Sequence, residues 1–139
     1  MNLNAEVKKQ LFKTFEILKT TLSVDQIPEI LSLTSYSVYA EFDTVKTVSS
    51  TGENEILKYF EDFVQRHNLI WVNVPVLKAA AHSFSDILRS LITFYGECTS
   101  TDEFGRQIVG LLQEWVGLNP SSLGSFYSSS ESVIALFQS

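Results

Sequence analysis

With a single cysteine, Cys98, the chain cannot close an internal disulfide, so the bridged framework of small secreted domains is excluded. Three prolines and six glycines in 139 residues are too few for a linker-rich or low-complexity chain. Long apolar runs are also missing. The longest, Leu69 to Leu77, is interrupted by Asn73 and Pro75 and falls far short of the roughly 20 residues a membrane-spanning helix requires. No N-terminal stretch combines a charged start, a long apolar run and a small-residue cleavage site. These absences predict a soluble protein of a reducing, cytoplasmic compartment. Cations are in deficit as well, with ten Lys and Arg against 16 Asp and Glu, and the net charge of −6 disfavours nucleic acid as a ligand.

What remains is ordinary for a globular chain: 45% apolar residues, 12% aromatic and 19% charged. A chain of this length buries roughly two-thirds of its unfolded surface, and residues 1–139 read as one domain without internal repeats. The charge is uneven. Lys8, Lys9, Lys13 and Lys19 oppose only Glu6 and Glu16 near the start, which leaves the rest of the chain acidic.

Three Ser residues stand three ahead of a Glu and before an apolar repeat: Ser50/Glu53, Ser100/Glu103 and Ser128/Glu131. In that pattern the Ser oxygen accepts a free backbone N–H and the Glu reaches back for another, so each pair predicts a helix start. Apolar positions at helical spacing fill the segments between. Val7, Leu11, Phe15, Leu18 and Leu22 follow a cap at Asn4, and a short helix is expected from about Pro28 to Ser35. Ile56, Phe60, Phe63 and Val64 run to about His67. Asn73 and Pro75 open the longest and most central helix, with Ala79 to Ala81 allowing a close neighbour and Gly96 ending it. Phe104, Ile108, Leu111, Leu112 and Trp115 belong to a helix closed by a left-handed Gly117, with Gly105 and Gly110 permitting close helix contact. Asn119 and Pro120 start another.

Tyr36 to Val48 reads two ways. Tyr36, Val38, Ala40 and Phe42 alternate with Ser37, Tyr39 and Glu41 as a half-buried strand would, yet Tyr36, Tyr39, Ala40 and Asp43 also fit a helix. The fold expected is therefore all-α, a compact bundle of about five to seven helices. The alternative is α+β, with strands near 36–48 and 69–74 and an anion-binding loop at Ser49 to Gly52.

Candidate chemistry is sparse. His82 and Asp86 share a helix face at a spacing that can pair acid with base, but no further ligands join them, and a surface hydrogen bond is the simpler role. His67 fits a helix C-terminus, where an imidazolium complements the negative pole. Cys98 lies between Glu97 and the pair Asp102/Glu103, which raises a thiol's pKa when a nucleophile needs it lowered. Glycine-rich phosphate cradles, zinc motifs, calcium loops and glycine-flanked serine nucleophiles are all missing, so no catalytic residue, metal or cofactor is expected.

Adjacent rings at Phe94/Tyr95 and Phe126/Tyr127 cannot both point inward from a helix, and one ring of each pair is expected to face a partner. Glu131 is the only charge after Gly117, so the C-terminal segment either closes the core or meets a second copy, giving a homodimer or structural subunit. The leading functional expectation is a non-catalytic module that binds another protein through an aromatic and acidic surface. A small-molecule or anion-binding α+β domain, with enzymatic activity, is the alternative.

Overall fold

The computed structural model describes residues 5–70 and 72–122. Asn4, Trp71, Phe126, Tyr127, the Ser128 cap and the C-terminal segment proposed to close the core or join copies lie outside them. The described residues form seven helices and no strand: α1 (Ala5–Leu18), α2 (Gln26–Ala40), α3 (Phe42–Val48), α4 (Glu53–Arg66), α5 (Val74–Ala79), α6 (Ala81–Glu97) and α7 (Thr101–Leu118), followed by a 3-10 turn at Pro120–Ser122. The all-α expectation holds, and the α+β alternative does not. Tyr36 to Ala40 end α2, Phe42 to Val48 are α3, and the described residues of 69–73 form no strand.

The false strand signal has a physical origin in α2, which runs to Ala40 instead of stopping near Ser35. Residues 30–38 of it are all buried, polar ones included. Small hydroxyls make that possible by donating to carbonyls one turn back: Thr34 to Ile30, Ser35 to Leu31 (2.6 Å) and Ser37 to Thr34 (2.8 Å). Once their polar groups are satisfied inside the helix, Ser and Thr can face neighbours on every side, and the usual division into wet and dry faces disappears.

Helix α6 packs against each of the other six helices, and α2 also meets α3 and α7. Rings tie the outer helices to this pair. Phe60 of α4 meets Phe84 of α6 edge-on with centroids 4.7 Å apart, and Phe42 of α3 stacks on Tyr95 of α6 at 4.5 Å. Trp115 of α7 sits edge-on to Phe15 of α1 at 5.4 Å and donates its indole N–H to the Val24 carbonyl at 3.2 Å.

Several boundaries differ from the sequence reading. Ser50 does not cap α4; its hydroxyl donates to the Thr47 carbonyl at 2.7 Å, closing α3, and Gly52 is the residue before α4. Ser100 does cap α7, accepting from the Glu103 N–H at 3.1 Å, while Glu103 reaches back to the N–H of Thr99 at 2.9 Å. The reciprocal arm is thus displaced by one residue. The helix expected from Pro75 to Gly96 is broken at Ala80 (φ −116°, ψ 26°), which leaves α7, at 18 residues, the longest among the described residues. Neither Gly96 nor Gly117 ends its helix or has a positive φ. Gly105 is buried, as close contact requires, but the space beside Gly110 is open.

The left-handed turn falls at Asn68 (φ 52°), just past the end of α4. There the Leu69 N–H reaches the Val64 carbonyl at 3.0 Å and the Asn68 N–H reaches Gln65 at 3.2 Å. This paired closure satisfies the last carbonyls of α4 and reverses the chain. Leu69 drops into the core, and Ile70 beside it is left 89% exposed.

Candidate functional site

Two surface grooves gather polar groups. One lies where α2 gives way to α3. Glu41 occupies that junction, in a conformation belonging to neither helix (φ −138°, ψ 51°), so its carboxylate projects toward α4. Arg66 grips it with both terminal nitrogens, at 2.8 and 3.2 Å, and donates its Nε–H to Asp62 at 2.7 Å. The Tyr59 hydroxyl donates to the same carboxylate. His67 follows Arg66 as the C-terminal capping residue of α4, as expected, with its ring against Phe63 at 4.3 Å and Nδ1 3.4 Å from the Tyr36 hydroxyl. Its Nε2 is buried without a hydrogen-bond partner, 3.8 Å from Glu41.

A carboxylate, an imidazole, two phenols and a guanidinium resemble the parts of an acid–base centre. The proton affinities of the carboxylate and the two phenols run the other way. The hydrogen bonds from Arg66, joined by that of Tyr59, hold Glu41 down at about 2 against the opposing effect of burial. Burial, then the bond to Glu41, lifts Tyr59 far above its ordinary range, and burial, then Glu41, raises Tyr36. Groups that exchange protons at neutral pH are tuned toward it, whereas these are driven outward. Glu41, Arg66 and Tyr59 form a clamp joining the α2/α3 junction to α4, with their hydrogen bonds spent on one another and on Asp62.

The second groove, of about 700 Å³, runs between the start of α2 and the chain that leaves α4. Asp25 and Glu29 line one wall with Ser23 and Gln26, while Ile70, Val72, Val74 and Pro75 line the other with Asn73. Local bonding fixes the acidic wall, because the Ser23 N–H and hydroxyl both donate to the Gln26 side-chain oxygen, at 3.0 and 3.1 Å. Burial, and secondarily the nearby charge of Asp25, raises the Glu29 carboxyl to about 7. No cation is among the described residues that line it. Here the carboxyl group pays the cost of partial burial without a counter-ion.

No family model, curated protein or solved structure matches this chain. Function must therefore be read from the residues themselves.

The residues singled out in the sequence are dispersed. Phe94 is a core residue, 3% exposed and near Phe104, and Tyr95 is half-buried between Phe42 and Phe104. His82 is exposed, with Nδ1 3.1 Å from Glu53 and Nε2 3.6 Å from Asp86. Those three join the start of α4 to α6 on the surface, and among the described residues no group of His, Cys, Asp and Glu is arranged to hold a metal ion. Burial, and then Glu103 and Glu97, push the Cys98 thiol up to about 11. The Ser49 to Thr51 hydroxyls turn back onto the carbonyls of α3, and Glu53 and Glu55 already complement the positive end of α4. Sequence reasoning missed the Asp25/Glu29/Ile70 groove. Its one local signal was the acidic pair four residues apart at a helix start; the apolar wall comes from a distant segment.

Proposed function

We propose that this chain is a non-catalytic interaction module that binds another protein, with the groove between Asp25, Glu29 and Ile70 as its principal binding face. The observation that carries this reading is the coexistence, in one open groove, of uncompensated carboxyl groups and an isoleucine exposed over 89% of its surface. Each is unfavourable for the isolated chain, and each is relieved by a partner that covers the apolar wall and brings positive charge. The Glu41 clamp supports the same reading from the opposite side, since Arg66 spends its donors on Glu41 and Asp62, Tyr59 spends its hydroxyl on Glu41, and the Glu41 carboxyl is held far below neutral.

Affinity capture from the native host with the intact chain tests the proposal. A specific companion should be retained by the unmodified protein and lost with Ile70→Ser and Glu29→Gln, while circular dichroism shows both variants folded. A parallel Phe126→Ala/Tyr127→Ala variant reports whether those rings extend the binding face. Capture that is unchanged by every groove substitution would refute the assignment of the face.

A further inference from the structure

Building on this reading of the groove, we infer that its occupant is a short segment of a partner protein that places a Lys or Arg head between Asp25 and Glu29 and an aliphatic side chain against Ile70 and Val72. The chemistry follows from the two walls. Asp25 and Glu29 stand one turn apart at the start of α2, and among the described residues no ion pair reaches either. The other polar lining residues, Ser23, Gln26 and Asn73, carry no charge, so the side-chain charge lining the groove is negative.

A cationic side chain suits this site better than a bare metal ion. Two carboxyl groups in an open groove fall short of a cation's oxygen shell, whereas the aliphatic stem of Lys or Arg can lie along Val72 and Val74 while its head reaches the acids. The groove volume lies in the range that encloses a small ligand or a few side chains. A phosphate-bearing ligand would meet repulsion. A second copy of this chain offers Lys9, Lys13 and the half-exposed Ile17 on α1, and sedimentation distinguishes that occupant from a separate partner.

The Glu29 carboxyl supplies a signature. Because burial and Asp25 hold it near half-protonated at pH 7, a cation arriving between the two acids drives the proton off. Binding should release part of a proton and tighten as pH rises through about 7.

The probes are capped peptides with one Lys flanked by Leu, compared with the same peptides carrying norleucine in place of Lys, followed by NMR and calorimetry on the intact chain. The Lys peptide is expected to shift the Asp25, Glu29 and Ile70 amides and to bind about tenfold more tightly than the norleucine peptide. Its heat should depend on the ionisation enthalpy of the buffer. Glu29→Gln should abolish that dependence and most of the Lys preference, whereas Ile70→Ser should weaken both peptides alike. Equal binding of the norleucine peptide would overturn the cationic occupant while leaving the binding face intact. Failure of every peptide to perturb the groove would overturn the binding face itself. Self-association in sedimentation that is abolished by Lys13→Glu would assign the groove to a second copy and overturn the separate partner.

Discussion

Two glutamates at opposite ends of α2 are displaced in opposite directions, although burial acts on both. At Glu41 a bidentate arginine and a phenol outweigh the loss of water, and the carboxylate is held ionised. At Glu29 no cation answers burial, and the acid retains its proton into the neutral range. The difference is one of partners, and it separates a finished structural contact from an unfinished one. Gly110 is unfinished in another sense. It lies inside α7 with nothing within 4 Å of where a Cβ would stand, so the space is free and only the conformational cost of glycine remains. Gly110→Ala should raise stability by about 0.5–1 kcal/mol. Denaturant unfolding should show a higher midpoint with unchanged slope; a lower midpoint would mean that something covers this position.

At the scale of elements, α1, α4 and α7 were legible because one face of each is wet. Val7, Leu11 and Phe15 of α1, and Ile56, Phe60 and Phe63 of α4, are the buried positions that helical spacing picked out. Legibility failed where that contrast is lost. In α2, buried hydroxyls bonded one turn back let Ser and Thr stand in core positions, and alternation then mimics a strand. Ala80 breaks a helix in a run of alanines that contains neither Gly nor Pro, so periodicity passes straight through it. The binding groove was hidden for a further reason, because Asp25 and Ile70 meet only after α4 closes at Asn68. That closure is testable. Asn68 holds a left-handed φ that Ala adopts at a cost and Gly adopts freely. Asn68→Ala should destabilise by about 1 kcal/mol, and Asn68→Gly should not. Equal losses in thermal melts would show that the Asn68 side chain, and not its backbone, sustains the turn.

For the molecule as a whole, the two displaced glutamates set opposing limits on stability against pH. The preference of the fold for ionised Glu41 is present above the ordinary value of 4.5 and is lost as pH falls toward about 2. Its preference for protonated Glu29 is present in full below 4.5 and is lost as pH rises to about 7. Both effects place their optimum near 4.5, and the net charge of −6 adds self-repulsion on the alkaline side. Melting temperature followed from acid to neutral pH should therefore peak on the acidic side of neutrality. Glu29→Gln should flatten the decline between about 4.5 and 7, since glutamine cannot ionise, and Glu41→Gln should remove part of the decline below 4.5 while lowering the peak through loss of the Arg66 grip. A wild-type profile that rises from 4.5 to 7 and is unmoved by Glu29→Gln would mean that Glu29 is hydrated in solution. The groove would then lose the uncompensated carboxyl group that makes it receptive to a cation.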